Sequence, residues 1–118
     1  KRKDTEARRE IMNSVDFVFL CLPDAAAREA VTLIENPNVR VLDTSTAHRT
    51  NPAWAYGFPE LAGARERIAA SCRIANPGCH ASGFLALVTP LVKEGLIDVD
   101  TLIVDAKSGT SGAGRGSG

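Results

Sequence analysis

The stretch that decides the fold is VDFVFLCLP, residues 15–23. Apart from one aspartate it is a continuous apolar run, and Pro23 closes it, which is the pattern of a strand buried on both faces of a parallel sheet. The next residues, AAAREAVTLIEN at 25–36, carry apolar side chains at helical spacing, and Asp24 before them is a candidate N-cap. These segments therefore predict a strand followed at once by a helix that packs on the sheet. The predicted packing face consists of Ala27, Ala30, Val31 and Ile34.

The same alternation extends outward from this unit in both directions. TEARREIMNS, residues 5–14, predicts the end of a helix before the first strand. Residues 36–38, Asn-Pro-Asn, break the helix that follows, and VRVLDTS at 39–45 then predicts a second short strand. CRIAN at 72–76 predicts a third strand. Strands that alternate with helices indicate an α/β fold with a parallel sheet.

The rest of the chain is less regular. Residues 46–63 read as an irregular stretch with one helical turn near 59–63. CHASGFLALVTPLVKEGL at 79–96 predicts a helix kinked at Pro90, and TLIVDAKSG at 101–109 predicts a fourth strand. Parallel sheets bind ligands in the loops at the carboxyl ends of their strands, so the polar segments that follow these strands are where the chemistry is expected. The apolar face of the predicted helix consists of Phe84, Leu87, Val88 and Leu91.

Composition narrows the class of protein. The 118 residues carry 14 basic and 14 acidic side chains and are 44% hydrophobic, as in a soluble globular domain. There is no excess of basic residues that would indicate binding to nucleic acid. No apolar run is long enough to span a membrane, and the charged first residues do not have the pattern of a secretory signal. Three cysteines without metal-ligand spacing predict no metal site and a reducing, cytoplasmic setting. The first residue is not Met and the last residues form a glycine-rich loop, so we expect an internal piece of a longer protein.

Cys79 is the strongest candidate for chemistry. It follows Pro77-Gly78 and lies in the first turn of the predicted helix. The unpaired N–H groups there, with about half a positive charge from the helix dipole, favour the thiolate over the thiol. Such a cysteine can attack a carbonyl carbon, and Gly78 would let another group approach closely. The alternative is a structural cysteine that happens to begin a helix.

The other cysteines and the histidines are weaker candidates. Cys21 and Cys72 lie in apolar strand context, which predicts buried and inert thiols. His80 is adjacent to Cys79, but neighbours on a helix point in different directions, which makes it a poor partner. His48 could reach the site through space or have a hydrogen-bonded or surface role. No convincing general base is present.

Two segments could bind anions. DTSTAHR, residues 43–49, places Ser45 and Arg49 after a strand, and hydroxyls with a guanidinium suit an anionic oxygen such as phosphate or carboxylate. The alternative is an arginine that only solubilises the surface. SGTSGAGRGSG at 108–118 lacks the lysine and hydroxyl of a phosphate-binding P-loop. Its backbone N–H groups could still face a cofactor, or the loop could be a flexible connector.

Three ordered motifs give the chain a family resemblance. LDTSTAHRTNPAWAYGFPEL at 42–61, NPGCHASGFLALVTPLV at 76–92 and KSGTSGAGR at 107–115 together resemble the N-acetyl-gamma-glutamyl-phosphate reductase family of arginine biosynthesis, in its shorter form. The related aspartate-semialdehyde dehydrogenase family has a similar layout but matches the cysteine motif less well. The resemblance covers residues 15–115.

The resemblance implies a reaction and a nucleophile. The family reduces an acyl phosphate to an aldehyde with NADPH, and Cys79 matches its nucleophile, which forms a thioester. The family's glycine-rich dinucleotide turn corresponds to chain upstream of residue 1, and its acid/base histidine to chain downstream of residue 118. His80 stands where the commoner form has tyrosine, so no role transfers to it.

The resemblance also implies domains and further site residues. It predicts the later part of a Rossmann-like NADP domain at residues 1–77 and the start of an α+β catalytic domain at 78–118. Ser45 and Arg49 match a segment that lines the substrate and phosphate site. The complete enzyme is expected to act on a small acyl phosphate and to form a homo-oligomer. An aspartate-semialdehyde dehydrogenase-like enzyme and an inactive nucleotide-binding piece are the alternatives. The positions that match the family's NADP(H) contacts are Leu22, Pro23, Ser108, Gly109 and Gly112.

Overall fold

The structure, a computed structural model, describes residues 4–109. Its first elements are helix α1 (Thr5–Ser14), strand β1 (Phe17–Leu20), helix α2 (Asp24–Thr32) and strand β2 (Arg40–Asp43). Strand β3 (Ala55–Tyr56), helix α3 (Ala64–Ala70), strand β4 (Arg73–Ala75), helix α4 (Cys79–Lys93) and a 3-10 helix (Val99–Thr101) follow. The alternation of strands and helices confirms the predicted α/β class.

The four strands form one parallel sheet in the order β1-β2-β4-β3. Strand β2 lies in the interior, where Val41 is paired with Val18 on one side and with Arg73 on the other. The sequence did not predict β3 or α3. Strand β3 has only two residues, too few to give a periodic pattern. In place of the helical turn expected near 59–63, two turn hydrogen bonds lead into α3: Leu61 N to Phe58 O at 3.3 Å and Ala64 N to Leu61 O at 3.0 Å.

The strand predicted at residues 101–109 is wrong. Residue 101 ends the 3-10 helix, and residues 102–109 have no regular secondary structure. Ile103 in this segment is 94% exposed. A strand exists only through hydrogen bonds to a neighbour, and no strand among residues 4–109 pairs with this segment. An apolar sequence alone therefore overpredicted it.

The core lies between α2 and the sheet. Ala27, Ala30 and Ile34 are buried and Val31 is half-buried, which confirms the predicted packing face. Asp24 was predicted as the N-cap of this helix, but it is the helix's first residue and Pro23 occupies the cap. The buried cluster in contact with this face consists of Leu20, Ala30, Ile34, Val39, Val41, Trp54 and Ala75.

Strand β1 is not buried on both faces, contrary to the prediction. Phe17 and Phe19 are 43% and 65% exposed, and their rings stack with centroids 5.5 Å apart. The face of β1 that carries these two rings is therefore left largely uncovered by the described residues, and β1 is also an edge strand with β2 as its one neighbour there. Leu20, at the other face, is buried in the core.

The chain divides into two compact units between Ser82 and Gly83. Helix α4 crosses this division and continues through Pro90 to Lys93. None of its residues is buried, and Leu87 on the predicted apolar face is 73% exposed. Within residues 4–109, no helix has the length and apolar character that crossing a membrane requires.

Candidate active site

The loops after the parallel strands contain most of the residues that the sequence singled out. Strands β1, β2 and β4 run in the same direction and end at Leu20, Asp43 and Ala75. Backbone hydrogen bonds join the residues that follow them: Thr44 N donates to Leu20 O at 3.0 Å, and Asn76 N donates to Asp43 O at 2.8 Å. The three chain exits therefore form one hydrogen-bonded rim at the carboxyl edge of the sheet, which is where such folds place their ligands.

A fully buried carboxylate stands at the end of β2. Asp43 is 0% exposed, and its Oδ2 accepts hydrogen bonds from Nδ1 of His48 at 2.6 Å and from Oγ of Ser45 at 2.8 Å. Its Oδ1 accepts from the backbone N–H of Ser45 at 3.0 Å, and Oγ of Ser45 accepts from the N–H of Ala47 at 3.2 Å. A buried charge is tolerated only with such partners, so this cluster fixes the loop after β2.

The same contacts determine how Asp43 titrates. Burial alone would raise the pKa of this carboxyl, but the hydrogen bonds from His48 and Ser45 outweigh burial and hold the pKa below the ordinary value of 3.8. Asp43 is therefore ionised at neutral pH, and Nδ1 of His48 is the donor in their hydrogen bond.

His48 has the hydrogen-bonded structural role that the sequence left open. The residue is 6% exposed, and its ring lies over that of Trp54, with centroids 4.1 Å apart and planes 10° from parallel. Stacking on one side and the Asp43 bond at Nδ1 fix the orientation of the imidazole. His48 therefore fixes the loop after β2 through these two buried contacts.

A second carboxylate holds the same loop from the side of α2. Asp24 accepts hydrogen bonds from the backbone N–H of Thr46 at 3.0 Å and from the Thr46 hydroxyl. The side-chain bond from Thr46 is the main cause that lowers the pKa of Asp24 below 3.8. The first turn of α2 is thereby joined to the loop after β2.

Arg49 closes this loop against the next one. Its Nη2 donates to the carbonyl of Thr44 at 3.1 Å, and its Nε donates to the carbonyl of Asn76 at 3.0 Å. A Cβ placed on Gly78 would lie 2.7 Å from Nη1 of Arg49. The group predicted to approach closely at Gly78 is therefore the Arg49 guanidinium.

Cys79 is exposed and is the first residue of α4, as predicted. Its Sγ lies 3.7 Å from Nδ1 of His80, within reach of a weak hydrogen bond to sulfur. This contradicts the expectation that two neighbours on a helix would point apart. Both residues are exposed, and the distance shows that the imidazole of His80 reaches the sulfur of the residue before it. Gly78 O accepts from both the N–H and the hydroxyl of Ser82 at 2.9 Å, which anchors this turn.

The two other cysteines are less enclosed than predicted. Cys21 is exposed because it lies just beyond the end of β1, and Cys72 is half-buried just before β4. Both are free thiols. Exposure alone therefore does not distinguish Cys79 from Cys21, and any difference in their reactivity reports on the local environment.

The positions matched to cofactor contacts fall in both compact units. Leu22 is half-buried against the core, while Pro23 is exposed at the end of the same turn. Ser108 and Gly109 are exposed and belong to the second unit. Gly112 lies outside the described residues. Residues 4–109 contain no group of three or more His, Cys, Asp or Glu side chains placed to hold a metal ion.

Sequence reasoning missed the part that Asp43 and Trp54 play. A signal was present: a charged residue ends an otherwise apolar strand, and Ser45 and His48 follow it two and five residues later. An aspartate side chain commonly accepts from the backbone N–H two residues on, as Asp43 does from Ser45. The stacking of Trp54 on His48 depends on tertiary packing and had no local signal.

This chain belongs to the semialdehyde dehydrogenase family. Residues 2–71 match the family model for the semialdehyde dehydrogenase NAD binding domain, and residues 79–118 match the model for the semialdehyde dehydrogenase dimerisation domain. The predicted domain boundary after residue 77 lies between these two matches.

Curated relatives are similar over nearly the whole chain. It is 56% identical to N-acetyl-gamma-glutamyl-phosphate reductase 2 of Pseudomonas putida over 117 residues. This alignment covers 98% of this chain and 37% of that protein. The proteins named N-acetyl-gamma-glutamyl-phosphate reductase from Burkholderia lata and Trichormus variabilis are 53% and 50% identical, over 98% of this chain and 37% and 36% of their own lengths. The chain thus spans a little over a third of the length of the relatives it matches.

Proposed function

We propose that this chain supplies the nucleophile and part of the cofactor site for the reduction of N-acetyl-γ-glutamyl phosphate to N-acetylglutamate semialdehyde by NADPH, a step of arginine biosynthesis. The observation that carries the proposal is the position of Cys79. It is an exposed thiol at the start of a helix, at the carboxyl edge of a parallel sheet. Its chain is 50–56% identical to proteins named as reductases of this substrate.

The chemistry that Cys79 contributes is nucleophilic. Its thiolate attacks the acyl carbon, a C–S bond forms, and the C–O bond to phosphate breaks with the electron pair leaving on phosphate. NADPH, when bound, would supply a hydride for the thioester carbon. The part of Cys79 is to hold the acyl group as the thioester and, once the carbon is reduced, to leave as thiolate when the C–S electron pair returns to sulfur and the oxyanion becomes the aldehyde carbonyl. His80, 3.7 Å from Sγ, is placed to accept the thiol proton before attack.

Arg49 supports binding of the acyl phosphate. Two of its three guanidinium nitrogens donate to backbone carbonyls, and Nη1 lies against Gly78, the residue before the nucleophile. Nη1 is thus the nitrogen available for a phosphoryl oxygen. Ser45 remains in the proposal as part of the same loop, although its hydroxyl proton is donated to Asp43.

The cofactor contacts are proposed for the turn after β1 and for the glycine-rich segment. Leu22 and Pro23 fit a nucleotide neighbour because they form a partly exposed apolar turn at the carboxyl edge of the sheet. Ser108 and Gly109 are exposed and offer backbone groups without bulky side chains. Gly112 is proposed from the resemblance alone.

Assembly and setting complete the proposal. The match of residues 79–118 to a dimerisation domain supports a homo-oligomer for the complete enzyme. Three free cysteines support a cytoplasmic setting.

The substrate is tested by a comparison of two acyl phosphates. In a full-length reductase that carries this segment, NADPH oxidation is followed with N-acetyl-γ-glutamyl phosphate and with β-aspartyl phosphate. We expect kcat/KM at least about a hundredfold higher for the first, since a site built for one acyl chain leaves polar groups unpaired with another. Preference for aspartyl phosphate would identify an aspartate-semialdehyde dehydrogenase, and turnover of neither would indicate a nucleotide-binding protein.

The nucleophile is tested by thiol reactivity in the chain itself. Near neutral pH we expect iodoacetamide to modify Cys79 at least about tenfold faster than Cys21, because only Cys79 lies at a helix N-terminus. Cys21 is the matched control, since it is also exposed. Peptide mass spectrometry gives the three rates, and denaturing urea should equalise them. Equal rates for Cys79 and Cys21 in the folded chain would argue for a structural cysteine.

A further inference from the structure

The loops after β2 and β4 are joined by one side chain. Thr44 and Asn76 are the first residues beyond their strands, and Arg49 donates to the carbonyl oxygen of each, at 3.1 and 3.0 Å. A planar guanidinium can hold two acceptors in fixed directions, which a lysine cannot do. Arg49 therefore adds a side-chain link between two chain exits that strand pairing and the bond from Asn76 N to Asp43 O already hold side by side.

Gly78 completes this contact. A Cβ at Gly78 would lie 2.7 Å from Nη1 of Arg49, closer than a Cβ approaches another heavy atom, and 3.4 Å from Cζ, which is an ordinary contact. The backbone of Gly78 does not need glycine for its conformation, since Gly63 and Gly95 are the residues with positive φ in the part of the chain described. What a side chain at this position would meet is the Arg49 guanidinium, which would have to shift to make room for it.

Only residues 76–78 separate the end of β4 from the nucleophile. Gly78 precedes Cys79 directly, and its carbonyl anchors Ser82 in the first turn of α4. A displacement of this short turn therefore moves the start of the helix and the sulfur with it.

We infer that Arg49 is a positioning residue for Cys79, and that it acts by holding the turn at residues 76–78 through the Asn76 carbonyl and its packing against Gly78. The inference rests on the proposed role of Cys79 as nucleophile. It is separate from anion binding by Arg49, because it concerns the protein without substrate. It also gives a reason for the glycine before the nucleophile: a Cβ there would force Nη1 to shift, and Nη1 belongs to the guanidinium that is bonded to both carbonyls.

The test compares alkylation of Cys79, relative to Cys21, in variants of this chain. We expect Arg49→Ala to lower the ratio about threefold or more, and Gly78→Ala to lower it by the same factor although the positive charge is kept. The double variant should have a ratio no lower than that of either single variant, because the two substitutions remove the same contact between Arg49 and Gly78. Arg49→Lys should behave like Arg49→Ala.

Matched controls separate this effect from unfolding and from charge. Gly83→Ala makes the same change within α4, where a Cβ would meet nothing within 4 Å apart from its chain neighbours and the backbone of its own helix. Arg65→Ala removes an exposed guanidinium elsewhere. Both should keep the wild-type ratio. Trp54 is buried beside His48, so its fluorescence reports whether the chain is folded. Its emission spectrum should match that of the wild type in every variant whose alkylation ratio is compared.

The outcomes distinguish the inference from the proposed function. If Cys79 of the wild type is alkylated faster than Cys21 and Gly78→Ala leaves that ratio unchanged, the positioning role of Arg49 is overturned while the nucleophile stands. The same follows from effects that multiply in the double variant, or from a normal ratio in Arg49→Lys, which would show that charge suffices. A wild-type ratio near one would overturn the nucleophile and the positioning role together.

Discussion

We expect the replacement of Cys79 by serine to abolish nearly all NADPH oxidation with N-acetyl-γ-glutamyl phosphate in a full-length reductase that carries this segment. We expect kcat to fall at least about a thousandfold, because a serine hydroxyl stays protonated at neutral pH and is a far weaker nucleophile than a thiolate. The measurement is the initial rate of absorbance loss from NADPH at saturating substrate.

The control for this variant is Cys21→Ser. Cys21 is also an exposed thiol, but it lies beyond β1 and not at a helix start, so its loss should leave kcat within about twofold. Activity above a small fraction of the wild type in Cys79→Ser would remove the thioester from the mechanism. Loss of activity in both variants would point to general damage by serine.

The largest effect on stability is expected from Asp43. We expect Asp43→Ala to lower the free energy of unfolding by about 3–5 kcal/mol at neutral pH, because His48 and Ser45 lose a buried, charged acceptor. That is a large share of the about 5–15 kcal/mol typical of a folded domain. Urea unfolding followed by Trp54 fluorescence measures it. Asp16→Ala, at an exposed aspartate just before β1, should cost less than about 0.5 kcal/mol.

The same residue predicts a pH dependence. The pKa of Asp43 is lowered in the folded chain, so its contribution is complete above the ordinary value of 3.8 and is lost as the pH falls through the folded value. The wild type and Asp43→Ala should therefore converge in stability on acidification below about pH 4. A constant difference down to the lowest pH, or a loss no larger than that of Asp16→Ala, would contradict the role given to this carboxylate.

Much of the fold could be predicted from local pattern. The apolar run at 15–23 and the spaced alanines after it gave β1 and α2, because burial against a sheet imposes those periods. Strand β3 could not be predicted, since two residues carry no period. The strand expected at 101–109 failed for the complementary reason: apolar content favours a strand, but only a hydrogen-bonded neighbour makes one.

The features of the site likewise fall into those that local sequence predicts and those that depend on tertiary contacts. The place of Cys79 at a helix start follows from Pro77-Gly78 and the apolar face that comes after it, which are local features. The partners of Arg49 are carbonyls 5 and 27 residues away, and carbonyls have no sequence signature. The prediction of buried cysteines failed at Cys21 because the strand ends one residue earlier, at Leu20.

The loop after β2 has a consequence for how this family can vary. Every residue from 44 to 49 is tied: Thr44 to Leu20, Ser45 and His48 to Asp43, Thr46 to Asp24, Ala47 to Ser45 and Arg49 to Asn76. Surface loops usually accept insertions and deletions, but one added residue here would put these bonds out of step. Length changes should therefore avoid residues 44–49, and protein engineers who wish to lengthen this rim should start outside them.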